Sequence, residues 1–549
     1  MTGAASVIPR AADECVLRTT ACSARFAPRA GTWVLAATIL GSSMASIDGT
    51  VVNVALPRMQ GDLRATAADL LWVIEAYSLF LSALILVGGS LGDRLGRRKV
   101  FAAGIALFTA ASIACGLSPN VAVLVAARAI QGIGGALLVP GSLAIISAAF
   151  DESSRGKAIG TWSGFSALTI AIGPVLGGWL VQNASWRWVF LINVPLAAVT
   201  VWLLYAHVPE SRDEEASGPL DWLGALLVTA GLGGVTFGLI EAGPRGFSDR
   251  MVSSSLAGGV ILLALFVAVE RLAPAPMMPL DVFHSRTFTG ANLLTLLLYG
   301  ALGGGLYFFP FDLQQVQGYS PTAAGAALLP FVAIVFLLSR WAGGLVTRYG
   351  ARPPLIVGPI VTAGGFVLFT LPGIGGSYWT TFFPAVVVMS LGMCAVISPL
   401  TTTVMNAVPG HRSGIASGVN NAVSRAAALV AIAVLGLAVV QIFDSSLNSK
   451  LDQLRVTAGV RSAVIAQRAR LAGAEPPGTL PASERARLHR ATEEAFVDGF
   501  RAAMAIAACL AVASAMFAAW LIPGKTATAT STRAARRSAG EPATASAEA

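Results

Sequence analysis

The amino-acid sequence predicts an all-α polytopic membrane protein with fourteen transmembrane helices, and two observations support this. Of the 549 residues, 55% are hydrophobic and only 12% are charged, whereas soluble domains contain roughly 25% charged residues. In addition, apolar runs of about 20 residues, the length that crosses a bilayer core of about 30 Å, recur along the chain. The composition therefore favours lipid as the solvent for most of the surface.

The net charge of +9 could indicate a nucleic-acid partner. The basic residues, however, sit in short connections and tails beside the apolar runs, which is typical of membrane proteins. We therefore expect a lipid bilayer, and no nucleic acid, as a partner. The apolar runs lie near residues 32–56, 70–91, 100–118, 121–147, 158–181, 188–206, 222–241, 255–270, 288–311, 322–346, 354–372, 378–401, 415–441 and 499–522.

An even number of spans puts both termini on one side of the membrane, and the basic residues indicate which side. The connections after even-numbered spans are rich in arginine and lysine, and such connections stay in the cytosol. We therefore expect a multi-pass protein of the plasma membrane with both termini cytosolic. The basic residues concerned are Arg94, Arg97, Arg98, Lys99, Arg155, Lys157, Arg271, Arg286, Arg348 and Arg352.

One long connection, residues 442–498, departs from this bias because it carries many basic side chains on the predicted outer face. Loops of this length translocate largely regardless of charge, so the predicted topology is unaffected. Apolar residues recur among the charges, which predicts surface helices around Pro476–Pro477. We interpret the segment as a solvated cap, with a substrate-gating element as the alternative.

A weak internal repeat divides the chain. The segment Gly89–Arg98 after the second span and the segment Gly343–Arg352 after the tenth share glycine, leucine and arginine at identical spacing. This predicts two six-helix halves that bind substrate between them. The expected organisation is a disordered cytosolic tail at 1–30, an N-terminal half at 31–207, two inserted spans at 208–275, a C-terminal half at 276–522 and a second disordered cytosolic tail at 523–549.

The first copy of the repeat resembles the cytosolic-loop signature of the major facilitator superfamily, and the resemblance implies the major facilitator fold. Glycines let two helix ends approach closely, the aspartate offers an acceptor at a tight junction, and the arginines hold the loop at the anionic inner leaflet. Thr347 replaces the acid in the second copy, so only the first is expected to act as a full conformational latch. The residues of this motif are Gly89, Asp93, Arg94, Gly96 and Arg97.

Two further segments resemble the fourteen-span drug:proton antiporter branch of that superfamily. One is Ser46–Pro57 at the end of span 1; the other is Gly164–Gly178 in span 5, which resembles the antiporter motif although Thr169 stands where glycine is usual. Proline removes a helical hydrogen bond and glycines permit close packing, which suits a hinge or a seal. An ordinary kinked packing helix is the alternative. The residues concerned are Gly173, Pro174, Gly177 and Gly178.

Three charged residues lie inside apolar runs of the first half, namely Asp48, Glu75 and Arg128. Ionisable residues at membrane depth are functional candidates, and Arg128 also falls in a segment that resembles the superfamily's span-4 arginine motif. Because burial raises the pKa of a carboxyl group and a nearby guanidinium lowers it, we expect Asp48 to carry protons while Arg128 tunes it. Glu75 is either a second proton site or an acid that recognises cations. A purely structural hydrogen bond or ion pair is the alternative for Asp48 and Arg128.

Candidate substrate contacts come from the apolar, aromatic-lined cavity that polyspecific exporters use. Two of them have alternatives, because Asp312 could be a solvated loop acid and Arg425 could make a helix–helix hydrogen bond. The candidate substrate-binding residues are Trp162, Phe165, Tyr307, Phe308, Asp312, Asn420 and Arg425.

The resemblance implies a secondary active transporter that exports drugs, antibiotics or amphipathic metabolites in exchange for protons. We expect a monomer that binds a small-molecule substrate and protons, holds no metal, and needs no cofactor because the proton gradient drives it. No phosphate-binding Gly-x-x-x-x-Gly-Lys-Ser/Thr loop is present. A proton symporter for a nutrient or metabolite is the alternative. A membrane-embedded enzyme or a receptor is disfavoured, because the predicted spans contain no histidine and neither tail offers a folded output domain.

Overall fold

The computed structural model describes residues 28–212, 220–273, 276–409 and 413–524. These residues are almost entirely helical, and they contain no β-strand. Most of the two predicted tails, residues 1–27 and 525–549, lies outside the described residues, as do 213–219 and 274–275 of the predicted insertion.

The main helices of the described residues follow the predicted spans and are named in chain order. They are α1 Pro28–Leu63, α2 Ala67–Leu95, α3 Arg97–Gly116, α4 Val121–Ala149, α5 Glu152–Asn183, α6 Asn193–His207, α7 Trp222–Arg245, α8 Arg250–Leu272, α9 Arg286–Tyr307, α10 Leu329–Tyr349, α11 Arg352–Leu368, α12 Tyr378–Asn406, α13 Ser413–Gln453 and α14 Ala482–Leu521. Short helical turns adjoin three of them, at Trp188–Leu191, Phe309–Phe311, Asp312–Val316 and Pro321–Ala326.

Within the described residues, thirteen helices are long and apolar enough to cross a membrane, and α11, with 17 residues, is a shorter apolar helix. This agrees with the fourteen predicted spans and confirms the all-α class. Because successive helices run in opposite directions, the first and last described residues lie at the same end of the bundle. There the Arg352 side chain donates a hydrogen bond to the Ala519 carbonyl at 2.6 Å. We call this the termini end and the opposite one the distal end.

The two six-helix groups meet along a seam between α2 and α13. Leu71 packs against Gly436 towards the distal end, and Leu86 packs against Gly418 towards the termini end. The inserted helices α7 and α8 pack on each other, and α7 also contacts both α2 and α13. The insertion therefore lies beside this seam, where it bridges the two groups.

Three spans depart from the single continuous helices that the apolar runs predicted. A one-turn helix precedes α6, a break at Phe308 interrupts the run 288–311 just before a π-helical turn at Asp312–Val316, and a turn at residues 327–328 separates Pro321–Ala326 from α10. Such interruptions often mark functional positions. They could not be predicted from the apolar runs, because the residues remain largely apolar across the first and third of them.

Helices α13 and α14 have 41 and 40 residues, about twice the 20 that a bilayer core requires. Their extra turns lie at the distal end and are joined by Lys450, whose ammonium is 3.1 Å from Glu494 and 3.8 Å from Asp498. Much of the long connection therefore continues the two flanking helices. The remainder contains a helix at Ala458–Ile465 and a 3-10 turn at Arg468–Gly473.

Candidate functional site

A fully buried ion pair joins α1 to α4. The Asp48 and Arg128 side chains are 0% and 1% exposed, and Arg128 Nη1 donates to Asp48 Oδ2 at 2.5 Å. Arg128 Nε also donates to the Val73 carbonyl of α2 at 2.9 Å. One guanidinium thus connects three helices of the first half, and the structure brings two of the three predicted charged residues into direct contact.

Two amide side chains extend this pair into a buried polar network. Gln131 Nε2 donates to Asp48 Oδ1 at 2.9 Å and to Ser112 Oγ at 2.8 Å, while Gln131 Oε1 accepts from Arg128 Nη1 at 2.8 Å. Asn193 of α6 donates to the same Ser112 hydroxyl at 2.9 Å. Sequence reasoning assigned no role to Gln131, although its position three residues after Arg128 puts both on one helix face.

Tyr77 of α2 lies between this network and the second half. The Arg128 guanidinium carbon is 4.2 Å from the centre of the Tyr77 ring, a cation–π geometry. The Tyr77 hydroxyl is buried without a hydrogen-bond partner among the described residues. Tyr77 also interacts electrostatically with Arg425 of α13. The Asp48–Arg128 pair is therefore one side chain away from the opposite half.

Glu75, the third predicted charge, is separate from that pair. Its side chain is 0% exposed, and neither carboxyl oxygen has a hydrogen-bond partner among the described residues. Its electrostatic neighbour is Tyr307 of α9, in the second half. The structure therefore gives the two acids opposite environments. Asp48 accepts two hydrogen bonds, one of them from its ion-pair partner Arg128, whereas Glu75 accepts none among the described residues.

The loop motif at the termini end is held by an acid that sequence reasoning missed. Glu210 Oε1 accepts from the backbone N–H of Arg98 at 2.9 Å, and Oε2 accepts from that of Lys99 at 3.2 Å. A carboxylate at this place satisfies free N–H groups of α3 and favours its helix dipole. Gly96 has φ of +111°, and a Cβ there would lie 2.7 Å from the Glu210 carboxylate. No sequence signal links Glu210 to a loop that lies more than a hundred residues earlier.

The aspartate of the loop motif pairs within the motif itself. Arg97 Nη2 is 2.8 Å from Asp93 Oδ1, and Arg97 Nε donates to the same oxygen at 2.9 Å. The Arg97 backbone N–H donates to the Ser211 carbonyl at 2.8 Å. Gly89 packs against Pro140 of α4, so the motif joins α2, α3, α4 and the segment after α6.

The glycines of the span-5 motif make close contacts on two sides of α5. A Cβ at Gly173 would lie 2.2 Å from Thr50 Oγ1, and one at Gly177 would lie 2.3 Å from a Val51 methyl group, both on α1. A Cβ at Gly178 would instead lie 2.3 Å from the Pro321 carbonyl oxygen, across the gap between the halves. The motif therefore combines packing within the first half with a contact to the second.

The same contact is mirrored from the second half. A Cβ at Gly325 would lie 2.1 Å from the Pro174 carbonyl oxygen. Pro174 lies inside the continuous helix α5. Because two glycines allow the two backbones to approach this closely, the halves are closed against each other here, near the distal end.

Glutamine side chains add hydrogen bonds across the distal end. Gln314 Nε2 donates to the Val54 carbonyl at 3.0 Å, and Gln315 Nε2 donates to Gln60 Oε1 at 2.7 Å. Gln60 Nε2 donates in turn to the Arg470 carbonyl of the long connection at 3.1 Å. First half, second half and long connection therefore meet in one polar cluster.

Leu471 of the long connection inserts between the halves beside this cluster. It is 4% exposed and lines an apolar cavity with residues of both halves. Its φ of +54° is a conformation that a leucine adopts only at a free-energy cost. The other residues lining the cavity are Ala67, Leu71, Tyr307, Phe308, Phe311, Gly436 and Val440.

The structure separates the predicted substrate contacts into different environments. Tyr307, Phe308 and Asp312 are buried at the distal end, where Asp312 accepts a hydrogen bond from Gln317 at 3.3 Å. Asp312 is therefore not the solvated loop acid of the alternative interpretation. Phe165, by contrast, is 50% exposed.

Two other predicted contacts lie along the faces of α5 and α13. Trp162 Nε1 donates to Ser42 Oγ of α1 at 2.9 Å. Asn420 donates to Thr295 Oγ1 of α9 at 2.8 Å and also lines a cavity of about 140 Å³. This cavity lies within the second half, between α9, α12 and α13.

The family model of the Major Facilitator Superfamily matches residues 38–432. The chain is 33% identical to the tetracenomycin C resistance and export protein of Streptomyces glaucescens, over 88% of this chain and 90% of that protein. It is 34% identical to the multidrug resistance protein Stp of Mycobacterium tuberculosis, over 87% and 90%. A methylenomycin A resistance protein of Bacillus subtilis is 33% identical, over 74% and 87%.

Solved structures share the fold at lower identity. A bacterial homologue of the human lysosomal transporter Spinster, in an inward-facing and unoccupied conformation, matches with a TM-score of 0.60 and 17% identity, over 90% of this chain and 97% of that one. The xylose transporter XylE of E. coli, in an inward-open conformation, matches with a TM-score of 0.55 and 14% identity, over 90% and 97%.

Proposed function

The chain belongs to the Major Facilitator Superfamily, and on that premise we propose that it exports antibiotics and related amphipathic molecules across the cytoplasmic membrane in exchange for protons. It is a multi-pass membrane transporter. The relatives named above are resistance and export proteins, which supports drug efflux. The observation that supports proton coupling is the presence of two fully buried acids, Asp48 and Glu75, inside the first half.

The proposed orientation places the termini end in the cytosol. Its support is the arginine-rich loop between α2 and α3, with Arg97, Arg98 and Lys99, because basic connections stay cytosolic. With this orientation, the close contacts of Gly178 and Gly325 seal the external face. The conformation described would then accept substrate from the cytosol.

In this proposal the two buried acids, Asp48 and Glu75, have different roles in proton coupling. Asp48 is paired with Arg128 and accepts a hydrogen bond from Gln131, so it can take part in coupling only when the Arg128 guanidinium moves away. Glu75 has no donor or cation to stabilise a charge, so it holds a proton in this conformation, since an unpaired charge in a dry interior is strongly disfavoured. Movement of the halves changes both environments, and thereby links proton loading and release to substrate exit.

The proton gradient suffices as the energy source. One proton moving down 100 mV contributes about 2.3 kcal/mol, which sustains roughly a fortyfold gradient of a neutral substrate at about 1.4 kcal/mol per tenfold. We therefore propose that the transporter works without a cofactor, and as a monomer.

Uptake into inverted membrane vesicles tests the proposal. A panel of lipophilic cations, lipophilic acids and antibiotics would be supplied with an energised membrane, with and without a proton uncoupler, and vesicles lacking the protein would serve as the control. We expect uptake of at least one compound that the uncoupler abolishes. Uptake that is insensitive to the uncoupler would contradict proton coupling. Proton-driven uptake in right-side-out vesicles would indicate the symport alternative.

A further inference from the structure

Arg425 is a cation inside α13 that has no counter-ion among the described residues. Its side chain is half-buried, its Nε is buried without a hydrogen-bond partner, and no ion pair joins it to any residue in the described ranges. Its electrostatic neighbour is the neutral ring of Tyr77. Because ionisable residues within membrane spans almost always pair or serve a function, an unpaired arginine here needs a partner from outside the protein.

The depth of Arg425 within its transmembrane helix excludes a role at the membrane surface. Arg425 lies twelve residues after Ser413, where α13 begins, which corresponds to about 18 Å along the helix at about 1.5 Å per residue. Side chains that reach for the interface do so from helix ends. Its electrostatic neighbour Tyr77 belongs to α2 of the opposite half, so we infer that the guanidinium faces the gap between the halves.

A cavity along α13, lined by residues next to Arg425 but not by Arg425 itself, offers neutral hydrogen-bonding groups. It has a volume of about 140 Å³ and includes Asn421, one turn before Arg425, and Ser424, its neighbour in sequence. None of the residues lining the cavity carries a charge. The polar lining residues are Tyr299, Thr401, Ser417, Asn420, Asn421 and Ser424.

The size and charge of this cavity limit what it can hold. Drug-sized ligands need pockets of about 300–1,000 Å³, so a cavity of about 140 Å³ accommodates one polar group of a larger molecule. Neutral donors beside an unpaired guanidinium favour an anionic oxygen, because hydrogen bonds to charged partners are the stronger ones. A cationic group would meet repulsion from Arg425 without a carboxylate in the cavity to offset it.

We propose that Arg425, together with the neutral polar groups of α13 in the turn before it, forms a subsite for an anionic oxygen of the transported molecule, such as a carboxylate, phenolate or enolate. The inference rests on the proposed function and narrows its substrate class to amphipathic acids. The apolar body of such a molecule lies in the gap between the halves, and the acidic group lies against α13. Asp48 and Arg128 are already paired with each other, so Arg128 is not available for this role.

Two probes that share one aromatic body test the subsite. Anthracene-9-carboxylate and anthracen-9-ylmethylammonium differ in the sign of their charge, and both report binding to the purified full-length protein by fluorescence. We expect the wild type to prefer the carboxylate, and Arg425→Gln to weaken its binding by about tenfold or more, as loss of a charge-assisted hydrogen bond predicts. Ammonium binding should not weaken, and Arg425→Lys should retain part of the carboxylate affinity.

Arg245→Gln is the matched control. Arg245 is paired with Glu241 at the distal end of α7, so its substitution should leave both affinities unchanged. The melting temperature of Arg425→Gln should equal or exceed that of the wild type, because the substitution removes an unpaired cation; this separates loss of the subsite from misfolding. Equal affinity of the wild type for both probes, or unchanged carboxylate binding in Arg425→Gln, would overturn the subsite. Failure of uncoupler-sensitive uptake would instead overturn proton-driven export and leave the binding result intact.

Discussion

At the residue scale, Asp48 and Arg128 illustrate how burial makes each charge depend on the other. Removing both from water carries a desolvation cost that their mutual attraction offsets only while both are present. Gln131 completes the site by donating to one partner and accepting from the other. The intact pair therefore adds little net stability. Loss of either residue alone would be strongly destabilising, because it would leave the other charge buried without a partner.

Arg128→Met should lower the free energy of unfolding by about 3–5 kcal/mol, because it leaves the Asp48 carboxylate buried without a cation. The double variant Asp48→Asn/Arg128→Met should recover much of that loss, since an amide carries no charge. Denaturant unfolding of the purified protein in detergent measures both. Strictly additive losses in the double variant would contradict the coupling.

Gly96 is the residue on which the loop contact with Glu210 depends. Gly96→Ala should slow transport and destabilise the loop, because φ is +111° and the added Cβ would lie 2.7 Å from the Glu210 carboxylate. Gly92→Ala, in the same motif, is the matched control, since a Cβ there meets nothing within 4 Å. Transport rates in vesicles and melting temperatures compare the two, and equal effects would show that the Glu210 contact is unimportant.

At the element scale, the distal end is closed by α5, the turn before α10 and the long connection together. Backbones meet at Gly178 and Gly325, and the 3-10 turn at Arg468–Gly473 places Leu471 between the halves. The long connection is therefore more than a solvated cap. If the long connection acts as the gating element of the alternative interpretation, we expect opening of the distal end to require that Leu471 leave its cavity.

Substitution at Gly178 should favour opening of the distal end. Gly178→Val introduces a Cβ that would lie 2.3 Å from the Pro321 carbonyl oxygen, so the halves have to separate there. A cysteine at Ala67, in the distal cavity, should then react faster with a membrane-impermeant maleimide in a background free of other cysteines. Gly164→Val is the control on the same helix, where a Cβ meets nothing within 4 Å; equal labelling of the two variants would contradict the seal.

Leu471→Ala should open the same end by a different route. Burial of a leucine side chain stabilises the closed distal end by about 1.5–3 kcal/mol. The left-handed backbone conformation of Leu471 costs about 1–2 kcal/mol, and without the buried side chain less remains to offset that cost. We expect faster labelling of the cysteine at Ala67, whereas Leu454→Ala, earlier in the same connection, should have little effect. Unchanged labelling in Leu471→Ala would show that the side chain does not contribute to closure.

At the scale of the whole molecule, the span count was predictable and the connections between distant segments were not. Apolar runs set the number and order of the helices, because lipid demands length and apolarity of each span separately. Glu210 with Gly96, Leu471 in the distal cavity and Asn193 with Ser112 depend on tertiary proximity, which no local pattern encodes. The breaks near Asp312 and residues 327–328 were missed because hydrophobicity does not report backbone geometry.

The candidate site was predictable to a similar extent. An ionisable residue in an apolar run is visible in the sequence, so Asp48, Glu75 and Arg128 could be named in advance. The proximity of Arg128 to Asp48 was expected as well, but the separation of Glu75 from both could not be predicted, because the depths of the three residues were comparable and their helix faces unknown. The structure separates Glu75 from the other two, and this separation underlies the proposal that the two acids have different tasks.

Proton movement coupled to substrate export is the most direct test of the central claim. Purified protein would be reconstituted in proteoliposomes containing a pH-sensitive dye, with a substrate chosen from the uncoupler-sensitive panel. We predict that the substrate drives a proton flux in the opposite direction, and that Asp48→Asn/Glu75→Gln abolishes this flux. Substrate transport at the full rate with no proton flux, or an undiminished flux in the double variant, would contradict proton exchange at these buried acids.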